Sequence, residues 1–258
     1  MDSVLEIEEH ALQAWPAAEV EACAGWELRA MGGVSRRANS VWTSRATGLL
    51  SVAERIAHAE AFYRARELPV SFQVTTHSGP PELDTALAEL GYRIESPVSV
   101  QAALALEVAS AETCLGVRTE VSTRLSDTWF DLSARRGRFA NVQETYRGLL
   151  GRIGSRALFA LAIIDECPAA VGLGVLGARW LGVSAMFTLP SYRRRGAARS
   201  LLVALAGHAP APEEPGKPTI YLQVERDNPA ALALYSGIGF HHHHAYHYRL
   251  EPAPNVYA

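Results

Sequence analysis

The sequence predicts an α/β protein of the α+β type, with two domains that are each a mixed, mainly antiparallel sheet flanked by helices. The first observation is composition: 258 residues, 48% apolar and 20% charged, are ordinary for a globular chain of one or two domains. The second is that strand-like and helix-like periodicities alternate along the chain. The third lies in the second half, where three antiparallel strands precede a strand–helix–strand crossover, an order that requires a mixed sheet.

The first hundred residues alternate between the two kinds of element. A Gly32-Gly33 turn separates two strands, and Gly91 stands where a helix C-terminal cap is expected. In chain order we predict a helix over 4–23 that is broken at Pro16, strands over 26–31 and 38–43, a helix over 51–67, a strand over 70–76, a helix over 83–90 and a strand over 98–106.

A domain boundary is predicted near Val108, because residues 107–122 have the composition of a linker or a crossover strand. The domains are therefore 1–108 and 109–258. In the second domain we predict helices over 126–138, 141–153, 195–207 and 229–238, and strands over 157–164, 169–176, 180–189, 219–225 and 240–250.

Charge and cysteine content exclude several classes of function. A net charge of −3 provides no general attraction to nucleic acid or to an anionic membrane. Cys23, Cys114 and Cys167 lie far apart and form no paired motif, which favours a reducing compartment. Neither a signal peptide nor the ~20 apolar residues of a membrane span are evident. We expect a cytoplasmic protein with no nucleic-acid or membrane partner.

A basic, glycine-containing turn is the first candidate site. Pro190 ends a strand, the turn follows, and a helix with an apolar face begins at once. A helix N-terminus presents unpaired N–H groups and partial positive charge, and glycine lets the backbone approach a ligand closely. This pattern predicts a pyrophosphate site, although a basic surface turn that caps a helix is the alternative. The residues are Arg193, Arg194, Arg195, Gly196, Ala197 and Ala198.

A second motif begins at Asn228, a good N-cap, followed by Pro229 at the first helical position. Tyr235 follows Asn228 by seven residues, so the two differ by about 20° around the helix axis and share one face. Tyr235 can therefore project its hydroxyl beside a ligand that crosses the helix. The alternative is a core tyrosine of an amphipathic helix.

Residues 115–258 resemble the GNAT superfamily of acetyltransferases. The resemblance rests on four features in a specific order and spacing, although each is weak by itself. They are the strand that ends in Phe187-Thr188-Leu189-Pro190, the RxxGxA pattern at Arg193, Gly196 and Ala198, the strand Tyr221-Leu222-Gln223-Val224-Glu225, and the final run from Asn228 through Tyr235 to Gly239-Phe240.

The resemblance implies acetyl-CoA as cosubstrate and no metal. In this family the glycine turn, here residues 193–198, binds the pyrophosphate. The backbone of the preceding strand, here Met186, Phe187 and Thr188, holds the pantetheine arm. The resemblance further implies that Asn228 contacts the CoA arm. It makes Tyr235 the general acid that protonates the leaving thiolate, for which a phenol is suited because its pKa of ~10 lies near that of a thiol.

Two further features leave alternatives open. Glu225 is a candidate general base through water, or it is a structural or solvated carboxylate. The run His241-His242-His243-His244, with His247, suggests a metal site or histidines that line the substrate pocket; an expression tag is disfavoured because Ala245 to Leu250 continue the strand pattern. Strand alternation, however, places His241, His243 and His247 on one face and the other two on the opposite face, which argues against tight metal binding.

The first half resembles a degenerate copy of the same fold. It has a similar element order and ends in Gly91-Tyr92, but residues 43–51 lack the glycine motif, so no CoA is expected there. The polar segment over 36–42 is a weak candidate for a substrate pocket between the halves, with ordinary strand residues as the alternative. Trp129, Phe130 and Tyr146 are further weak candidates on the acceptor side.

The favoured function is an acetyl-CoA-dependent N-acetyltransferase that acts on a primary amine of a small molecule. A protein N-acetyltransferase and a non-catalytic acyl-CoA-binding module are the alternatives. A metal-binding protein built on the histidine run ranks last.

Overall fold

The computed structural model describes residues 3–45, 47–75, 79–135, 139–210 and 217–252, and only the backbone of residue 135. The helices within these residues are α1 (Ser3–Ala14), α2 (Val52–Arg64), α3 (Leu83–Glu89), α4 (Ala105–Ala109), α5 (Asp127–Phe130), α6 (Gln143–Ile153), α7 (Ala197–Ala206) and α8 (Pro229–Ser236). The strands are β1 (Glu19–Cys23), β2 (Trp26–Ala30), β3 (Val41–Trp42), β4 (Ser71–Thr75), β5 (Arg93–Leu104), β6 (Val117–Ser122), β7 (Ala157–Ile164), β8 (Cys167–Leu176), β9 (Trp180–Thr188), β10 (Thr219–Glu225) and β11 (His241–Leu250).

Within the described residues, eleven strands form one sheet in the order β1-β2-β3-β4-β11-β5-β10-β9-β8-β7-β6. The pairs β3–β4 and β9–β10 are parallel, and the others are antiparallel. The predicted mixed sheet flanked by helices is confirmed. Instead of one sheet per domain, however, the two halves share a sheet, because β5 of the first half lies between β10 and β11 of the second. The boundary near residue 108 stays a prediction.

Helix α1 packs across the junction of the two halves. Ile7 is fully buried in a cluster with Trp180 and Tyr221, which belong to the second half. At the far end of α1, the ring of Trp15 lies 5.9 Å from that of Phe139 and 6.0 Å from that of Tyr146. The first half therefore forms one side of any site that lies between β9 and β10.

Local sequence explains where the helices begin. Ser51 and Glu54 form a capping box at the start of α2, in which each side chain accepts a hydrogen bond from the backbone N–H of the other. Helix α7 buries Leu201, Leu202 and Leu205 in the largest apolar cluster of the second half, as their spacing predicts. None of the described helices is long and apolar enough to cross a membrane.

Several predicted elements differ from the structure. The helix predicted over 4–23 ends at Ala14, since proline at position 16 cannot continue it, and Glu19–Cys23 instead pairs with β2. The strand predicted over 38–43 is a short 3-10 turn, Arg36–Ala38, followed by a two-residue strand. The region 107–122 contains the end of α4 and strand β6. Helix α5 passes into a π-helical turn over Asp131–Arg135. Residues 136–138 of that predicted helix, and residue 76 of the strand predicted over 70–76, lie outside the described residues.

Candidate active site

The parallel strands β9 and β10 separate partway along their length. The paired segments are residues 180–183 of β9 and residues 219–222 of β10. The five remaining residues of β9 pair with β8 only. A bulge marks the separation: Phe187 faces Val171 and Ser184 faces Leu173, so one extra residue is inserted between these pairs. A bulge bends a strand and increases its twist, which explains why β9 leaves its neighbour here.

The bulge depends on two neighbouring residues. Ala185 has a φ of +51°, which is uncommon for a residue with a side chain. The second residue is Met186, for which Gly172 on β8 makes room: a Cβ at position 172 would lie 2.6 Å from the Met186 sulfur. The gap between β9 and β10 opens into a cavity of ≈ 640 Å³ that residues of both strands line.

Both halves of the chain contribute to the cavity wall. Four of the sequence-predicted site residues line it, namely Met186, Phe187, Asn228 and Tyr235. Thr188 ends β9 opposite Ala170 and is not among the described lining residues. Glu225, the candidate base, also lines the cavity, at the end of β10. The structure thus places residues of β9, Tyr235 and Glu225 around the same cavity.

Tyr235 belongs to the core and also forms part of the cavity wall. Its side chain is 8% exposed and packs 5.9 Å from the ring of Phe240, so it belongs to the core. It also lines the cavity. Burial raises the pKa of the phenol above its ordinary value. The hydroxyl therefore stays protonated at physiological pH and can donate a proton or a hydrogen bond to a ligand.

Asn228 caps helix α8, as its position predicts. Its Oδ1 accepts a hydrogen bond from the N–H of Ala231 at 3.1 Å, and Pro229 occupies the first helical position. This bond fixes the Asn228 side chain beside the cavity at the start of the helix that carries Tyr235. The cap thereby sets the position of the tyrosine two turns later.

The glycine turn has a backbone that few residues other than glycine can adopt. Gly196 is the N-cap of α7 with a φ of +85°, and Arg194 also has a positive φ of +63°. A Cβ at position 196 would overlap the sulfur of Cys114. Ala197 is buried and Ala198 half-buried, so neither projects a bulky group over the first turn of the helix. This cradle of small residues at a helix N-terminus fits a pyrophosphate.

The three arginines of the turn differ in their surroundings. All three are exposed. Arg195 forms an ion pair with Asp165 at 2.8 Å and lies 5.5 Å from the ring of Tyr192. Among the described residues, no carboxylate pairs with Arg193 or Arg194. Because Asp165 balances the charge of Arg195, Arg193 and Arg194 supply most of the positive charge available to an anion at this turn.

The histidine run lies away from the cavity, since none of its described members lines it. The predicted strict alternation is wrong here, because a register shift between His242 and His244 brings His243 and His244 together, with 2.8 Å between their Nδ1 atoms. His242 instead contacts Ser99, and His247 contacts Asp84. Within the described part of the chain, no group of three potential metal ligands is found.

The remaining candidates from the sequence fall into two groups: residues buried in the core and residues that line the cavity. Trp129, Phe130 and Tyr146 are at most 3% exposed and belong to the core beneath the cavity. Arg36 and Arg37, from the polar segment of the first half, do line the cavity.

Other wall residues were missed by sequence reasoning. Among them are Ser133 and Phe139 from the second half, Ser96 from β5, Gln223 from β10 and the pair Tyr246 and Tyr248 from β11. One signal was available: polar or phenolic groups recur at alternate positions of otherwise apolar strands, as at Gln223.

A mixed sheet in which two parallel strands separate, ahead of a glycine turn that opens a helix, is characteristic of GNAT-type N-acetyltransferases, and this protein is one of them. The chain matches the family described as "Probable histone acetyltransferase Rv0428c C-terminal" over residues 3–249 and belongs to that family.

Relatives and solved structures agree with this assignment. The chain is 29% identical over 260 residues to the "Uncharacterized N-acetyltransferase YobR" of Bacillus subtilis (strain 168), covering 97% of this chain and 100% of the relative. A GCN5-related N-acetyltransferase from Kribbella flavida has the same fold, with a TM-score of 0.69 at 15% identity over 99% of this chain and 98% of that one. A tandem GNAT protein from the clavulanic acid biosynthesis pathway gives a TM-score of 0.61 at 12% identity, covering 96% and 89% of the two chains.

Proposed function

We propose that this acetyltransferase uses acetyl-CoA and transfers the acetyl group to a primary amine of a small molecule. The observation that supports this most is the separation of β9 and β10 after Val183 and Leu222. The gap connects the strand that leads to the glycine turn with a cavity lined by both halves. A thioester at the gap would therefore meet an acceptor that enters through the cavity.

The residues that would hold acetyl-CoA follow the course of β9 and the turn after it. The N–H groups at the start of α7, with Gly196 as N-cap, suit the pyrophosphate, and Arg193 and Arg194 add positive charge. We assign the pantetheine arm to the backbone of Met186, Phe187 and Thr188 together with Asn228. The small side chains Ala197 and Ala198 leave the helix N-terminus open.

The proposed chemistry is a direct transfer. The amine nitrogen forms a bond to the thioester carbonyl carbon, and the carbon–sulfur bond breaks. Tyr235 donates a proton to the leaving thiolate and takes up the proton that the nitrogen loses as the amide forms. A backbone N–H of β9 near the bulge stabilises the negative charge that develops on the carbonyl oxygen. No covalent enzyme intermediate is needed.

An alkylammonium must lose a proton before it attacks, since its pKa is ~10. Glu225 is the one carboxylate among the described lining residues, at the cavity end of β10. We propose that Glu225 takes this proton, through a water molecule, and passes it to solvent, to which its side chain is exposed.

A protein acceptor is the second candidate, because the family description names a histone acetyltransferase. The cavity of ≈ 640 Å³, walled by both halves, favours a small molecule instead. Mass spectrometry of protein mixtures incubated with enzyme and acetyl-CoA separates the two. Acetylated lysines or N-termini at enzyme-dependent rates would support the protein acceptor.

The test of acetyl-CoA binding compares the wild type with Ala198→Glu and Ala198→Gln by titration calorimetry. The two side chains have nearly the same size, and glutamate is favourable in a first helical turn, so both variants should fold. We expect one equivalent to bind to the wild type. The glutamate variant should bind at least about tenfold more weakly than the glutamine variant, because its charge repels the pyrophosphate.

Two outcomes would contradict the proposal. If the wild type does not bind acetyl-CoA, the cosubstrate assignment fails. If Ala198→Glu binds as tightly as the wild type, the pyrophosphate does not lie at this turn. Binding without thiol release across a library of amines would instead favour an acyl-CoA-binding module without catalysis.

A further inference from the structure

Two adjacent arginines from the first half of the chain form part of the cavity wall. Arg36 and Arg37 lie in the short turn before β3, and both line the cavity. Neither belongs to the features that hold acetyl-CoA, because they come from the other half of the chain. We therefore assign them to the part of the cavity wall that an acceptor would contact.

Arg36 has its charge balanced within the protein. Its Nη2 donates to Glu95 Oε2 at 2.6 Å, and its Nη1 donates to Ser96 Oγ at 2.5 Å. These two bonds tie the turn to β5. Arg36 is thus a structural part of the wall and not a binding group for an anion.

Arg37 differs, since no carboxylate among the described residues pairs with it. Its guanidinium carbon lies 4.6 Å from the centre of the Trp15 ring, and its Nη1 donates a long hydrogen bond of 3.4 Å to Gln223 Oε1. The same oxygen of Gln223 accepts from the hydroxyl of Tyr246 at 3.3 Å. A guanidinium has five N–H donors, so most of those on Arg37 are available to a ligand.

Carboxylates near Arg37 lie outside ion-pair distance in the described part of the chain: the charge of Glu8 acts on Tyr246, and Glu225 lines the same cavity. Three tyrosines, Tyr221, Tyr246 and Tyr248, are 3% exposed and near enough for the charge of Arg37 to act on them. Burial nevertheless keeps the pKa of each above its ordinary value, so all three remain neutral. A half-buried cation in such surroundings favours an anionic partner.

The position of Arg37 relative to Glu225 limits the size of that partner. Gln223, which Arg37 contacts, and Glu225 are two residues apart on the same face of β10, which corresponds to ~7 Å along a strand. A ligand whose anionic group meets Arg37 can therefore place an amine near Glu225 when only a few bonds separate the two groups. Small amino acids and their close derivatives have such a spacing.

We propose that the acceptor is a small amine that also carries a carboxylate, and that Arg37 binds this carboxylate. Two parallel N–H···O bonds from a guanidinium to a carboxylate provide both affinity and orientation. The carboxylate would orient the acceptor so that its amine meets the thioester between β9 and β10. This inference rests on the proposed acetyl transfer.

The test uses matched acceptors: a set of amino acids and, for each, the corresponding carboxamide, with kcat/KM measured from thiol release. For the wild type we expect the acids to be preferred over their amides. In Arg37→Gln the preference should fall by about 10- to 100-fold, since a hydrogen bond between charged groups is lost. Arg156→Gln makes the same chemical change at an exposed arginine that bonds Gln13 outside the cavity, and it should keep the wild-type preference.

A second variant keeps the shape of the site. Gln223→Glu is nearly isosteric and can accept the same two hydrogen bonds, but it places a negative charge beside Arg37. It should reduce the preference for acids in the same direction as Arg37→Gln, even if the latter is less stable.

The failures of the two proposals are distinguishable. If calorimetry shows no binding of acetyl-CoA, the acetyl-transfer proposal itself is wrong. Acetyl-CoA binding with turnover of acids and amides at equal rates overturns the carboxylate inference alone, as does a wild type that acetylates other primary amines but neither of these series. An acid preference that survives both Arg37→Gln and Gln223→Glu also overturns it.

Discussion

Cys114 packs against Gly196, so that its sulfur occupies the space a side chain at position 196 would need. Two hydrogen bonds hold the segment around Cys114 against α7: the Cys114 backbone N–H donates to Ser200 Oγ at 3.5 Å, and Arg199 Nε donates to the Glu112 carbonyl at 2.7 Å. The glycine turn is therefore fixed by the segment that precedes β6. A substitution at Gly196 therefore alters the packing against Cys114 in addition to any contact with a ligand.

The first prediction concerns the stability of this turn. Gly196→Ala should lower the free energy of unfolding by about 1 to 3 kcal/mol, because φ is +85° and because the new Cβ meets Cys114. The cost should be smaller in a Cys114→Ala background, where part of the overlap is relieved. Urea denaturation of the four proteins in the cycle measures both effects. Additive costs would show that the two residues do not interact as described.

The second prediction concerns Tyr235→Phe. Phenylalanine keeps the packing against Phe240 but removes the proton donor, so kcat should fall by about 10²- to 10⁴-fold while acetyl-CoA affinity changes little. Burial raises the pKa of Tyr235 above its ordinary value of ~10, so the group is protonated around neutral pH and its titration should cause no loss of kcat between about pH 7 and 9. An unchanged kcat in the variant would remove Tyr235 from the mechanism.

The sequence predicts the second half of the fold better than the first. The strands β7 to β10 and helix α7 follow from local patterns, such as the apolar face at Leu201, Leu202 and Leu205. The glycine turn is likewise a local feature. These elements carry most of the residues to which we assign acetyl-CoA, so that part of the proposed site is predictable.

The acceptor side depends on pairing between distant parts of the chain. Nothing local indicates that β5 lies between β10 and β11, or that Arg37 meets Gln223 across 186 positions of sequence. Glu19–Cys23 shows the same limit, because the helix predicted there gives way to a hairpin with β2. Strand partners are chosen by tertiary packing, which periodicity does not encode.

The third prediction concerns acid stability and His10. Burial lowers the pKa of His10 to about 4, and a hydrogen bond of 2.9 Å joins its Nδ1 to the Tyr221 hydroxyl. The unfolded chain therefore binds a proton at this site between pH 6.5 and 4 while the folded protein does not, so stability falls as pH decreases through that window. This histidine should account for a loss of about 3 kcal/mol, estimated from the pKa difference.

A matched variant isolates this contribution. His10→Asn places an amide where Nδ1 contacts Tyr221 but cannot take up a proton in this range. Urea denaturation at pH 7.5 and pH 5 should show a smaller decrease in stability for the variant than for the wild type. An equal decrease in both proteins would assign the acid sensitivity to other groups.

The last prediction follows from the shared sheet. Arg249 on β11 is 8% exposed, and it donates to both carboxylate oxygens of Asp84 on α3, at 2.8 and 3.0 Å. Strand β11 also lies between β4 and β5, so the second half of the chain completes the sheet of the first. Asp84→Asn should cost about 1 to 3 kcal/mol, because it leaves a buried guanidinium without its carboxylate.

Because the strands are interleaved, that cost should reach both halves. Hydrogen-exchange protection of the slowest amides should decrease by a similar free energy in β4 and in β9, and calorimetry should show one unfolding transition in the wild type and the variant. If instead protection falls only in β4, or two separate transitions are resolved, then residues 1–108 and 109–258 unfold independently despite their common sheet. The cavity wall at Arg37 could then open while β9 and the glycine turn stay folded, whereas a single transition requires that both walls of the cavity form together.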